Sequence, residues 1–198
     1  MPSTVAKKRR SRIQRITDVA ARVFATQGFH ATRMQDIADE LDLQKGTLYY
    51  YFPSKEALLF HIVEEEVGHA VEQMEQVMAL EATPTVKIEK GIMGHLTVFQ
   101  RYADIYSIYL FEKLNLINQE AAVRVDALGR KYEQYWHELL AQAVQAGELR
   151  QNLNIKLTTK AILGMCNMTL IWFKPDGPLT IEETAAHFNE LLLDGMRP

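Results

Sequence analysis

Apolar residues recur along this chain at spacings of three and four and almost never at strict alternation, a regularity that restricts it to helices. A nearly all-α fold is expected. Ile13, Ile16, Ala20, Val23 and Phe24 form one stripe, which stops at Gln27-Gly28, where glycine can adopt the left-handed cap conformation. Thr32, with Gln35 three residues later, resembles a capping box. It precedes Met34, Ile37, Ala38 and Leu41 at i, i+3, i+4 and i+7 of a short second helix. After a tight connection at Asp42-Leu43, a third helix runs from about Gln44 to Tyr51 with Leu48 and Phe52 facing inward. Pro53 stops it, and Ser54 caps a long fourth helix carrying Leu58, Leu59, Ile62, Val63, Val67, Ala70, Met74 and Val77. Further helices are expected at about 85–100, 102–113, 119–147, 155–173 and 180–195, with breaks at Thr83-Pro84, Gly147 and Lys174-Pro175-Asp176-Gly177-Pro178.

The net charge of −3 conceals an asymmetry. Residues 1–53 carry nine Lys or Arg against five Asp or Glu, +4, whereas the remainder carries thirteen against twenty, −7. Lys7, Lys8, Arg9, Arg10, Arg12 and Arg15 all precede the first acid, Asp18, and a basic arm of that density suits a phosphate backbone. The same run would also serve as a solubilising tail. No apolar run approaches the roughly 18 residues of a membrane span and no secretory signal opens the chain, so it is expected in the cytoplasm, without a membrane partner. Cys166 is the single cysteine and lies in an apolar stretch, which leaves no disulfide framework and no zinc cluster. A buried thiol is the expectation.

Two short helices around a tight turn can set the second across a major groove while the first braces it. Lys45 and Gly46 open the third helix, where a cation and bare backbone can approach base edges or phosphates, with Gln44 and Thr47 beside them. Tyr49 and Tyr50 present phenols that donate to phosphate oxygens while uncharged, and Tyr51 joins them or faces the DNA edge. Thr32 and Arg33, at the start of the bracing helix, and Lys55, in the first turn of the fourth, would flank the groove.

Ala21, Phe24, Gly28 and Phe29, then Thr32, Ile37 and Ala38, then Lys45-Gly46-Thr47-Leu48-Tyr49-Tyr50-Tyr51-Phe52 and Ser54-Lys55-Glu56 with Leu58 stand in fixed order and spacing. In that pattern the chain resembles the DNA-binding domain of the tetracycline-repressor (TetR) family of bacterial transcription regulators. The resemblance implies an N-terminal three-helix helix-turn-helix domain over 1–53. A helical ligand-binding and dimerisation domain over 54–198 would follow. It also implies a homodimer joined through a four-helix bundle of the last two helices, whose heads read successive major grooves of double-stranded operator DNA. The helix over 155–173, apolar nearly all round, is suited to burial by a partner subunit.

Met93, Leu96, Phe99, Tyr102, Tyr106, Tyr109, Trp136, Met165, Met168 and Trp172 concentrate aromatic and flexible apolar surface in the C-terminal part. That composition suits either a pocket for a lipophilic effector or simple core packing. Arg101, Asn115, Arg130 and Asn167 are candidate anchors for a polar head. Trp172-Phe-Lys-Pro-Asp-Gly-Pro-Leu-Thr-Ile-Glu-Glu and the closing Leu-Leu-Leu-Asp-Gly are similar to a subgroup of the family that regulates fatty-acid and steroid breakdown. That similarity implies release from the operator by an acyl-CoA. An aromatic xenobiotic and a ligand-free architectural role are the alternatives. An enzyme lacks support: neither a phosphate-binding glycine loop nor a nucleophile elbow occurs, and no cofactor is expected. His61, Glu65 and His69 recur every four residues, which suits a solvated helix face better than a metal site.

Overall fold

A computed structural model describes residues 4–101, 103–112 and 120–198, with the side chains of 4, 5, 99, 101, 111, 112 and 121 outside that description. The described residues form helices and no strand: α1 (Thr4–Gln27), α2 (Met34–Glu40), α3 (Lys45–Tyr51), α4 (Lys55–Met78), α5 (Pro84–Arg101), α6 (Ala103–Glu112), α7 (Glu120–Gln145), α8 (Ile155–Trp172) and α9 (Ile181–Met196). None is long and apolar enough to cross a membrane.

By its internal contacts the chain divides into two units, residues 1–65 with 104–125, and residues 66–103 with 126–198. The first unit therefore takes in the start of α4 and most of α6 as well as the three-helix head. Its core is built on Ile16, Ala20, Phe24, Ile37, Leu41, Leu48 and Leu58, all essentially without solvent contact. Phe24 and Phe29 meet edge to face at 5.1 Å. Gly28 sits at φ 81° and its N–H closes on the Phe24 carbonyl at 3.0 Å, the left-handed stop expected there. Between α2 and α3, Asp42 takes φ 54°, a region that aspartate tolerates better than most side chains, and the Leu43 N–H returns to the Ala38 carbonyl at 2.9 Å. The Ser54 hydroxyl accepts from the Ala57 N–H at 3.1 Å, and so caps α4. Farther along α4, Glu64 accepts two hydrogen bonds from Arg124 at 2.7 and 3.0 Å.

The start of α2 corrects one reading. The helix begins one residue later than a Thr32 cap requires: the Asp36 carboxylate accepts from the Arg33 N–H at 2.7 Å, and Thr32 is buried with its hydroxyl donated to the Gly28 carbonyl at 2.8 Å. The basic run, expected as an arm and helix start, is helical from Lys7 to Arg15, because α1 extends back to Thr4.

In the second unit α5 packs against both α8 and α9. Ile88, Ile92 and Leu96 of α5, Trp136, Leu139 and Leu140 of α7 and Ile162 of α8 are fully buried. Gly91 lies beside Trp136, where an added Cβ would stand 2.9 Å from the indole Cη2, so only glycine permits this approach of helix and ring. Glu148, just beyond α7, accepts from both the N–H and the hydroxyl of Thr85 at 2.8 and 2.6 Å and so satisfies the first turn of α5. Thr180 and Glu183 cap α9 reciprocally, each accepting from the other's backbone N–H at 3.1 and 2.8 Å.

Candidate nucleic-acid interface and interior polar site

α3 is anchored by the buried Leu48 and turns the rest of its surface to solvent. Gln44, Lys45, Gly46 and Thr47 are exposed, as is Arg33 at the start of α2. Tyr49 is 42% exposed and Tyr50 77% exposed, values far above those of core tyrosines such as Tyr109 at 5%. The Lys45 ammonium lies 5.7 Å from the centre of the Tyr49 ring. Tyr50 meets the half-buried Tyr51 edge to face at 5.3 Å.

Alongside α3 runs an open groove of about 820 Å³, lined by Lys7, Lys8, Arg9, Ser11, Arg12 and Arg15 of α1 and by Tyr50 and Tyr51. Residues 7, 8, 11, 12 and 15 recur at helical spacing, which puts them on one face of α1. Among the described residues no acidic side chain lines the groove.

Two residues expected at the edges of this interface are used otherwise. Thr32 has no hydroxyl to offer, since its side chain is buried and bonded to Gly28. Lys55 directs its ammonium inward, donating to the carbonyls of Phe29, His30 and Thr32 at 2.7, 3.1 and 3.2 Å, with Nζ 4.7 Å from the Phe29 ring centre. Its three donors are all occupied by the α1–α2 turn, so Lys55 ties that turn to α4 instead of reaching out to a phosphate.

The second unit contains a polar site of opposite character. His95 on α5 is 3% exposed, and its two ring nitrogens are bonded to the Tyr132 hydroxyl and Asn167 Oδ1, each at 3.0 Å. A carboxamide oxygen only accepts, so Nε2 carries the proton and Nδ1 accepts from Tyr132. Burial holds the imidazole pKa down at about 4 and raises that of the Tyr132 hydroxyl. The trio is therefore an uncharged, directional chain from α7 through α5 to α8 at neutral pH. Asn167, expected as an anchor for a ligand's polar head, accepts here from His95 instead, and sequence reasoning singled out neither His95 nor Tyr132. The available signals were a histidine on the apolar stripe of Ile88, Ile92 and Leu96, and a tyrosine four residues before Trp136.

The expected aromatic and methionine cluster is not gathered in one place. Tyr106 and Tyr109 are buried in the first unit, where Tyr109 meets Phe60 at 6.0 Å and Tyr106 at 6.2 Å. Leu96 and Trp136 are buried in the second, with Met93, Met165 and Asn167 half-buried. Met168 and Trp172 depart from the interior placement expected of them: they are 47% and 46% exposed, on a face of α8 that also carries Leu157 and Ile171. Arg130 is exposed. Tyr102 and Asn115 lie outside the described residues, as do the side chains of Phe99 and Arg101. Cys166 is buried and free, and burial pushes its thiol up to about 12. On α4, His61 faces Glu65 at 3.7 Å and His69 faces Glu66 at 3.6 Å; among the described residues no three His, Cys, Asp or Glu side chains come together as metal ligands.

Comparison with known proteins places this geometry. Residues 16–62 match a family model described as bacterial regulatory proteins, tetR family, and residues 81–196 match one described as tetracyclin repressor-like, C-terminal domain. The fatty acid metabolism regulator protein of Bacillus subtilis (strain 168) is 26% identical over 193 residues, 96% of this chain and 98% of that protein. The crystal structure of AibR in complex with isovaleryl coenzyme A and operator DNA superposes with a TM-score of 0.80 at 29% identity, covering 92% of this chain and 98% of that one. The structure of FadR from Bacillus subtilis in complex with stearoyl-CoA gives a TM-score of 0.76 at 25% identity, covering 93% and 99%. With both halves matched and the helix-turn-helix in place, the chain belongs to the tetracycline-repressor (TetR) family of bacterial transcription regulators.

Proposed function

We propose that the protein is a homodimeric repressor that leaves its operator when an acyl-CoA thioester binds its C-terminal part. The observation that carries this reading is the pair of relatives solved with coenzyme A thioesters, of which AibR holds isovaleryl coenzyme A and operator DNA in one complex. The exposed face of α3 supports the DNA half. Lys45 and Thr47 would meet base edges, and Tyr49 and Tyr50 would donate to phosphates. The exposed apolar face of α8, with Leu157, Met168, Ile171 and Trp172, together with Leu191 on α9, supports the dimer, since so much apolar surface on two adjacent elements of the chain calls for a partner. The two heads would then read successive major grooves of a near-palindromic site.

Release is a shift of population. α4 belongs to both units, so an effector that favours a different placement of this helix changes the spacing of the two recognition helices. A tenfold loss of operator affinity needs only about 1.4 kcal/mol of differential binding, which a buried acyl chain supplies readily.

The test is a gel shift at fixed salt with DNA from upstream of the protein's own gene, with and without acyl-CoA thioesters of graded chain length. Release by one class of chain length is expected. Tight binding that no thioester disturbs would overturn the acyl-CoA reading and turn the search to aromatic xenobiotics.

A further inference from the structure

α4 and α7 each run unbroken from the first unit into the second, α4 crossing after Glu65 and α7 after Val125. One residue before each of these crossings stand Glu64 and Arg124, and the two are bonded to each other. We propose that this pair is a clasp that makes α4 and α7 move together, so that the placement of the head follows α7 as well as α4. The proposal rests on reading the protein as a regulator whose head is repositioned on release from DNA. It adds to that reading a second helix and the residue pair that joins it.

The contact is directional. Arg124 Nε and Nη2 donate to the two carboxylate oxygens of Glu64 at 2.7 and 3.0 Å, a fork that orients both side chains where a lysine would supply only a point charge. Within the second unit the same two helices are joined again, by Glu75, which accepts from Lys131 at 2.6 Å and from Tyr135 at 2.9 Å. Residues 64 and 75 lie about three turns apart on α4, and residues 124, 131 and 135 recur at about two and three turns on α7, so each set shares one face of its helix. One face of α4 is thus tied to one face of α7 on each side of the crossing. The Glu64–Arg124 clasp suits a switch because it is modest. The Arg124 and Glu64 side chains are 52% and 24% exposed, so water can replace either partner and the pair opens without unpacking the core. An ion pair of this exposure biases an equilibrium by about two- to fivefold. That is enough to favour the paired arrangement and little enough for an effector to override.

The experiment is a double-mutant cycle of Glu64→Gln, Arg124→Gln and both together, with Arg124→Lys as the variant that keeps the charge and loses the fork. Binding to DNA from upstream of the protein's own gene, without effector, is read by fluorescence anisotropy across a salt series, and hydrogen exchange is followed by mass spectrometry over α4 and α7. Each neutral single variant should weaken binding by about two- to fivefold. The double variant should be no weaker than the singles, because the second substitution removes a partner that is already idle. The salt slope should stay that of wild type, since the pair acts on the placement of the head and neutralises no phosphate. Exchange should quicken in both helices, around residues 60–66 and 120–126, and Arg124→Lys should fall between wild type and Arg124→Gln. Losses that add in the double variant, a lowered salt slope, unchanged affinity in all four variants, or quicker exchange in α4 alone would overturn the clasp while leaving the DNA-binding reading intact. A wild type that binds no duplex would overturn the regulatory reading, and exchange in α7 would then decide the pairing of the two helices by itself.

Discussion

Lys45 on α3 and His95 on α5 are the conspicuous basic side chains of their respective units, and the fold treats them in opposite ways. Lys45 is exposed beside Tyr49, on a face where cations and phenols stand in water. His95 is buried, neutral and bonded at both ring nitrogens. A solvated surface keeps its charge at little cost and exchanges water for phosphate when a partner arrives. A desolvated interior penalises polar groups that are charged or unbonded, so that rearranging a bonded set such as this one is energetically consequential. The first unit thus keeps its cations ready for salt-sensitive contact with DNA, whereas the polar trio of the second is fixed by short internal hydrogen bonds.

That contrast can be broken by substitution. The largest effect belongs to the apolar frame around His95: Trp136→Ala, at a fully buried indole, should destabilise the protein by about 3–5 kcal/mol in denaturant melts. A loss under about 1 kcal/mol would mean that the frame is loosely packed. Lys55→Ala comes next. It removes an ammonium bonded to three carbonyls, and the expected loss is about 1.5–3 kcal/mol of stability. If the variant instead melts like wild type and lowers the salt slope of DNA binding, Lys55 belongs with the outward cations after all.

The pH dependence is smaller per unit but specific to the interior. The folded pKa of His95, about 4, lies below its ordinary 6.5, so the unfolded chain takes up the proton first. The stability tied to neutral His95 is fully present above pH 6.5 and is lost as pH falls from there toward 4, at no more than about 1.4 kcal/mol per pH unit. His95→Gln should flatten that part of the profile. An unchanged slope between about pH 6.5 and 5 would assign it to other groups. The smallest effect on stability is expected for Lys45→Ala, within about 0.5 kcal/mol of wild type, accompanied by weaker and less selective operator binding. Substantial unfolding in this variant would show that the exposed face is not free of structural duty.

How much of this was legible beforehand differs between the two units for the same reason. The head is assembled from contacts close in sequence. The stripe ending at Phe24, the stop at Gly28, the run from Lys45 to Phe52 and the Ser54 cap could therefore be read directly, and the helices followed the 3.6-residue period. The errors in the head were directional. Thr32 and Lys55 stood at plausible edges of the groove, but a side chain's choice between solvent and a neighbouring carbonyl depends on where the α1–α2 turn passes.

By itself the sequence determined that the chain is helical, where the recognition helix lies, and that its basic charge precedes that helix, because periodicity, caps and charge runs act over a few residues. Only the tertiary structure decided three further matters: that the basic run is part of α1 and forms a groove with Tyr50 and Tyr51, that Met168 and Trp172 face outward, and that His95 is held between Tyr132 and Asn167. Each depends on helices distant in sequence coming within hydrogen-bond or van der Waals reach, and a one-dimensional pattern does not encode which face of one helix meets which face of another.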